Sequence, residues 1–276
     1  FGITTPTGNY LFKKVLSNNY KNIYCYSRYN KNYDYIDLSA FKYPTLIKEC
    51  TLDEIWIFLC PIWEIGKFLD NLIISNNFKK YKLKGIICCS STSLITKKYS
   101  WHKYDKNLIS LISSSEEKII NICNLQKICL SIIRPTLIYG NSGNFKDKNI
   151  NLILEICKKM PFIILPKKTG ERQPIHISQL AHIIKKELQK IAASKYSNLR
   201  TTLNIGGDEI LNYETILKTL FLKRKIKKPI YKINNDLFFL IFSTLLILNS
   251  RLYSEILRIM SNLSGFQKSN IYLKVP

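Results

Sequence analysis

Phe1-Gly2-Ile3-Thr4-Thr5-Pro6-Thr7-Gly8-Asn9 opens the chain, with glycines at the first and last positions of a Gly-x-x-Gly-x-x-Gly frame. A helical stretch from Tyr10 to Val15 follows, then a strand-like run, Ile23-Tyr24-Cys25-Tyr26, that ends in Ser27-Arg28. Turn, helix and strand in that order are what a dinucleotide-binding βαβ unit needs. The first glycine allows the tight turn, the last lets the helix approach its strand, and the helix N-terminus offers unpaired N–H groups to a diphosphate. Gly2, Thr4, Thr5 and Gly8 are therefore the expected phosphate-turn residues. Thr5 replaces the middle glycine and brings a β-branched side chain toward the phosphate. The strand that should precede the turn is not in the sequence. The expectation is that the DNA immediately upstream of Phe1 encodes a few strongly apolar residues; a stop codon or polar stretch there would point to a decayed gene product.

Composition narrows the classes. The 276 residues, 46% apolar, are enough for one substantial core or for a main domain with a smaller lobe. The eight cysteines are Cys25, Cys50, Cys60, Cys88, Cys89, Cys123, Cys129 and Cys157; they contain no C-x-x-C pair, and several sit in apolar runs. Reduced, buried thiols of a cytoplasmic protein fit this pattern better than a disulfide or metal framework. His102, His176 and His182 lie in unrelated segments, so no metal site is expected. The formal charge of +23 attracts polyanions. The cations are mostly lysines dispersed among Asn, Ile and Tyr, however, and arginine, the usual reader of base edges, is rare. A general compositional bias accounts for this, so nucleic acid is not the expected partner, although phosphorylated ligands are favoured. The longest apolar run, Leu237 to Leu248, falls short of the roughly 20 residues of a membrane span. No transmembrane segment is expected. A buried helix is the first reading of this run, and a surface-associated helix the second, given the Lys-rich Leu222 to Lys228 before it.

Strand-length apolar runs alternate with helix-length segments, the α/β signature. Strands are expected at Ile55–Cys60, Gly85–Ser90, Ile128–Ile133, Phe162–Leu165, Ile175–Ile177, Thr202–Ile205 and Ile230–Ile233, with helices at Trp63–Ile74, Leu108–Cys123, up to Lys159, and Gln179–Ala192.

The glycine frame is joined by Ser90-Ser91-Thr92-Ser93, by Arg134-Pro135-Thr136-Leu137-Ile138-Tyr139-Gly140, by Arg172 to Ala181, and by Leu203-Asn204-Ile205-Gly206-Gly207. In this order and spacing the chain resembles the extended short-chain dehydrogenase/reductase superfamily, of the NAD-dependent epimerase/dehydratase type, nearly end to end. The resemblance implies a Rossmann-like doubly wound parallel sheet with a small, mostly helical C-terminal substrate lobe. Residues 1–140, together with 175–207, would form the dinucleotide-binding domain; residues 141–174 and 208–276 would form the lobe. It also implies that Ser91 orients the reacting hydroxyl or carbonyl, that Pro61 lines the cofactor cleft, and that Arg172 lies near the phosphates of a phosphorylated or nucleotide-sugar substrate. Ser27-Arg28 stands where NAD-preferring proteins carry an acid, which favours NADP, with NAD the second choice. Folds of this class often dimerise through long helices, so a homodimer is the oligomer to look for.

One departure matters for activity. Family members that transfer hydride carry Tyr-x-x-x-Lys on the helix after the Ser segment, which puts both side chains on one face and lets the lysine lower the tyrosine pKa. The helix here reads Leu108 to Lys118 without a tyrosine; with Glu117 matched to the glutamate that follows the pair, Ile109 and Ser113 stand in its place. Tyr99 and Lys103 have the right spacing, but Tyr99 comes only eight residues after Ser91. With 17 tyrosines in a Lys-rich chain such spacings also arise by chance, as Tyr10 and Lys14 show. Two functions follow: an atypical sugar-nucleotide oxidoreductase or epimerase, or a non-catalytic dinucleotide-binding sensor or assembly protein.

Overall fold

A computed structural model describes residues 1–28, 33–38, 52–194, 198–244 and 250–270. Cys50 and the end of the apolar run at Leu245–Leu248 lie outside them. The glycine turn leads into helix α1 (Pro6–Tyr10), which continues as a π-helical stretch, Leu11–Leu16. Strands β1 (Tyr26–Ser27) and β2 (Asp34–Tyr35) form a short parallel pair. Then come β3 (Glu54–Phe58), α2 (Ile62–Ile74), β4 (Leu83–Cys89), α3 (Ser93–Thr96), α4 (Lys103–Leu125) and β5 (Cys129–Pro135). The chain continues through β6 (Ile138–Tyr139), α5 (Lys148–Lys159), β7 (Ile163–Pro166), β8 (Glu171–Arg172), β9 (Ile175–His176) and α6 (Ile177–Ala193). It closes with β10 (Arg200–Gly206), β11 (Leu211–Asn212), α7 (Tyr213–Arg224), β12 (Ile230–Ile233), α8 (Asn235–Ser243), α9 (Ser250–Met260) and β13 (Gln267–Lys268).

The central sheet is parallel, in the order β13-β10-β5-β4-β3. Its strands are apolar on both sides because helices cover both faces. Trp56 and Phe58 of β3, Ile86 of β4, and Leu130 and Ile132 of β5 face one core with Ile65, Phe68 and Leu69 of α2 and Ile112 and Ile119 of α4. Alternate residues, Ile87, Cys129 and Ile133, face a second core with Leu11, Val15, Leu180, Ile184 and Ile191. Glu187 of α6, buried at the second face, accepts hydrogen bonds from Ser131 Oγ at 3.0 Å and Thr201 Oγ1 at 2.9 Å. The fold is α/β and Rossmann-like, as the strand and helix pattern implies.

Residue Phe1 bridges two strands that otherwise stand apart. Its N donates to Ile57 O at 2.7 Å, its O accepts from Leu59 N at 3.1 Å, and Gly2 N donates to Tyr26 O at 3.3 Å. The Phe1 ring stacks on Tyr26 and Phe58, at 5.0 and 4.4 Å between centroids. Beyond it lies a cavity of about 370 Å³, lined on one side by Tyr24, Cys25 and Tyr26 and on the other by Glu54, Ile55 and Trp56. The strand expected at Ile23–Tyr26 accordingly shortens to Tyr26–Ser27, where Tyr26 and Ser27 pair with Asp34 and Tyr35.

A smaller core of Cys157, Ile163, Leu165, Leu217 and Phe221 holds α5, α7 and the β7–β12 pair together. Helix α8 departs from the buried-helix expectation. Phe238 is buried, but Leu237, Phe239, Leu240 and Ile241 are exposed. An apolar run reads the same in sequence whether it faces a core or water, and of these five side chains Phe238 alone is turned inward.

Helix α9 is tied to the main body by a buried polar cluster. Lys97 Nζ lies 2.5 Å from Asp105 Oδ1 and 3.0 Å from Ser254 Oγ, which in turn donates to Asp105 Oδ1 at 2.7 Å. Burial alone would raise the Asp105 carboxyl, but the hydrogen bonds from Lys97, Ser254 and Ser100 outweigh it and hold the group below its usual value. A carboxyl whose pKa is depressed by folding adds stability above its unfolded value of about 4 and loses it as pH falls through the folded value. Asp105→Asn should therefore flatten the acid limb of stability between roughly pH 4 and the acid transition, measured by thermal melts across pH. Lys97→Met leaves a buried carboxylate unpaired and should cost about 3–5 kcal/mol in denaturant unfolding; the double variant should cost less than the sum.

Candidate functional site

At the carboxyl edge of the sheet, the glycine turn closes by backbone contact. Gly2 has φ +85°, and a Cβ there would lie 2.9 Å from Leu59 C. A Cβ on Gly8 would lie 2.3 Å from Gly2 O. Both positions therefore demand glycine, one by conformation and both by space. Thr5 takes the N-cap of α1: its Oγ1 donates to Gly2 O at 2.8 Å and accepts from Gly8 N at 3.0 Å. The hydroxyl expected to crowd the phosphate is thus turned into the loop, where it serves as the cap. Pro6 occupies the first helical turn and has no N–H to offer a ligand.

Thr5, Pro6 and Thr7 share a cavity of about 190 Å³ with Leu59 and Cys89 at the ends of β3 and β4, Ile138 and Gly140, Asp147, Lys148 and Asn149, and Ile177 and Leu180. The turn thus opens between the strand ends and the start of α5. Asp147 caps α5 by accepting from Asn149 N at 2.7 Å, which sets Lys148 at the cavity wall. These three residues escaped the sequence reading; the only local signal was an Asx cap before an amphipathic helix. The loop before α5 is tied to the turn's helix by Ser142 Oγ, which donates to the buried Asn9 Oδ1 at 3.0 Å. Burial pushes the Cys89 thiol up to about 12, which keeps it protonated and makes it a packing group rather than a nucleophile.

The other expected residues fall as follows. Ser27 is buried at the end of β1, with Oγ 3.4 Å from Thr4 Oγ1, so the strand end sits against the turn. Arg28 follows it and pairs with Asp37 at 3.6 Å, an acid beyond β2 that the sequence reading did not connect to it. Pro61 is the exposed N-cap of α2. Ser91 follows β4; its Oγ accepts from Ser93 N at 3.1 Å and lies 3.0 Å from Ser93 Oγ, and it does not line the cavity that holds Thr5. Arg172, on β8, is buried, with Nη1 bonded to Glu171 O and Ser261 O and its guanidinium 5.7 Å from the Tyr213 ring. That nitrogen is therefore engaged by the protein's own backbone.

Tyr99 is 89% exposed in the turn before α4, and Lys103 begins that helix. The two do not share a helical face. Glu116, not Glu117, is the buried glutamate of α4: it accepts from Arg134 Nε at 2.9 Å, from Arg134 Nη2 and from Ser90 Oγ, while Glu117 is exposed. Ile109 and Ser113, the residues that stand in place of the pair, are half-buried on α4. His176 caps α6 through Ser178 N and is held below its ordinary pKa by burial and by Lys223, in keeping with a structural role. Among the described residues no group of His, Cys, Asp and Glu is arranged to hold a metal, and no helix is long and apolar enough to cross a membrane.

This geometry is that of the doubly wound α/β folds, in which ligands commonly lie at the carboxyl ends of the strands. Solved structures narrow the likeness. A UDP-glucuronic acid 4-epimerase from Bacillus cereus, in complex with UDP-glucuronic acid and NAD, matches over 84% of this chain and 84% of its own, with TM-score 0.61 at 15% identity. A UDP-galactose 4-epimerase matches over the same shares with TM-score 0.64 at 10% identity. The protein gox2253 matches over 96% of this chain and 88% of its own, with TM-score 0.64 at 14% identity. No family model and no curated protein matches the sequence. At these identities the likeness is one of fold: the chain has the architecture of the extended short-chain dehydrogenase/reductases of epimerase type.

Gly8→Ala should strain the turn by about 1–3 kcal/mol, because the added methyl meets backbone rather than a movable side chain. The expected readout is a lowered melting temperature; a variant that melts with the wild type would mean that the turn has room the geometry denies it.

Proposed function

We propose that the chain is an NADP-binding protein of the epimerase/dehydratase type. The dinucleotide would lie across the carboxyl edge of the sheet, its diphosphate at the Gly2–Gly8 turn. The observation that carries this is the shared cavity of Thr5, Thr7, Leu59, Cys89 and Lys148, which puts a closely packed helix N-terminus and a lysine beside the strand ends. Both glycines fit a diphosphate by leaving the turn bare, while Thr5 Oγ1 takes Gly8 N and Pro6 has no N–H, so Lys148 would carry the contact. Bound there, the nicotinamide would supply hydride chemistry. The protein's part is to hold the diphosphate, to keep water from the strand ends, and to orient a substrate hydroxyl through Ser91. Ser27 and Arg28 would meet the adenosine ribose. Arg28 must exchange Asp37 for a 2′-phosphate, which it can do because its side chain is partly exposed. A nucleotide sugar is the proposed substrate, in line with the ligands of the epimerases of like fold, with the 141–174 and 208–276 segments over the cleft.

A second reading, a dinucleotide-binding protein without turnover, is favoured by α4. Ile109 and Ser113 stand on α4 where the resemblance puts the tyrosine and lysine, and Tyr99 is turned to water. Without a tyrosine relay, turnover should be about 10²–10⁴-fold below that of a complete site, with water or Tyr99 as proton donor.

Titration with NADPH and NADH, followed by fluorescence or calorimetry, should show saturable binding with NADPH the tighter. Arg28→Glu should weaken NADPH by about tenfold or more and leave NADH nearly unchanged; saturation by neither cofactor would end both readings. Incubation of the loaded protein with UDP-sugars separates them, since any product should vanish in Ser91→Ala while cofactor binding persists. Light scattering on the same samples tests for the homodimer.

A further inference from the structure

Beyond the nucleotide site, the stretch from Leu222 to Ile241 joins two features that neither the fold nor the cleft requires. The first is positive charge. Lys218, Lys223, Arg224, Lys225, Lys227, Lys228 and Lys232 fall within it or at its edge, and no acid interrupts the sequence from Thr215 to Asn235. Lys223, Arg224, Lys225 and Lys227 are all exposed. Lys228 is spent on the carbonyls that end α5, and Lys218 and Lys232 on Glu214. Four cations are thus displayed on one short connection.

The second feature is apolar surface. Leu222 is 81% exposed beside these cations, and on α8 Leu237, Leu240 and Ile241 recur at helical spacing with Leu240 68% exposed. Phe239 is exposed as well, and Phe162 and Tyr231, both exposed, meet edge to face at 5.6 Å on the neighbouring β7–β12 pair. α8 is anchored to this pair at its start, where Asn235 exchanges hydrogen bonds with the backbone of Lys168, itself an exposed cation beside Lys167.

We propose that this face of the small lobe docks on an anionic lipid surface. The exposed side chains of α8 and Leu222 would enter the headgroup–acyl boundary, and Lys223, Arg224, Lys225 and Lys227, with Lys167 and Lys168, would lie against the headgroup phosphates. Aliphatic side chains flanked by lysines are the composition of an interfacial anchor. Leu237, Leu240 and Ile241 together on α8, and lysines for five of these six exposed cations, favour lipid over a nucleic acid, whose readers lean on arginine and rows of stacking aromatics. An anchor of nine residues lies on a bilayer and does not span it, consistent with the lack of any spanning helix among the described residues.

The test is sedimentation of the full chain with vesicles of phosphatidylcholine alone or mixed with phosphatidylglycerol, at about 0.1 M and about 0.5 M salt. Binding is expected on the mixed vesicles only, weakened at the higher salt. Leu240→Glu with Ile241→Glu, and separately Lys225→Glu with Lys227→Glu, should each reduce it by about tenfold or more. Melting temperature and NADPH titration should stay unchanged, because these side chains are exposed and none lines the cavity at the turn. Failure to bind mixed vesicles would overturn the proposal, as would equal binding to neutral ones. Wild-type binding by the Leu240/Ile241 variant would do so too, leaving only a polyanion surface, and so would light scattering that shows a dimer which the Leu240/Ile241 variant turns into a monomer.

Discussion

The carbonyl of Gly2 and the α-carbon of Gly8 approach so closely that no side chain fits between them. That contact fixes the angle at which α1 leaves the sheet, and much else follows from it. α1 and its π-helical continuation carry Leu11, Val15 and Leu16 onto the second core against α6. Thr5 closes the loop with both of its hydrogen-bonding capacities, a role glycine could not fill. The change from the middle glycine thus trades close approach of a ligand for a stiffer turn.

The ends of β4, β5 and β10 are bound together by a second constraint. Glu116 takes hydrogen bonds from Ser90 and Arg134, and Arg134 reaches toward Asn204 at 3.5 Å. Buried charge is costly unless satisfied, and here one carboxylate serves two strands. The segment that carries Ser91 is held at its root whether or not it ever meets a substrate.

Legibility in the sequence followed the strength of the local pattern. β3, β4 and β5 could be read because helices on both sides make them apolar throughout, and α6 because its apolar face repeats at helical spacing. α4 begins at Lys103, five residues earlier than expected, since Tyr104-Asp105-Lys106-Asn107 carries no apolar stripe. Asp105 is buried all the same, by Lys97 and Ser254, and only one of these is near in sequence. Pairings of that kind, like Arg28 with Asp37 and Lys148 with the Thr5 cavity, are made by the fold and leave no periodic trace.

The Lys97–Asp105–Ser254 cluster has a mechanical consequence. It joins α9 to the few residues that follow Ser91, with the lysine at the end of α3 and the carboxylate on α4. A hinge that lifted α9 alone would have to strip three mutually satisfied polar groups and expose them one by one. Because Ser90 N and Thr92 N are bonded to Ile133 O and Pro135 O of β5, the Ser91 turn stays with the sheet, and the cluster clamps α9 to that fixed frame and not to a movable flap.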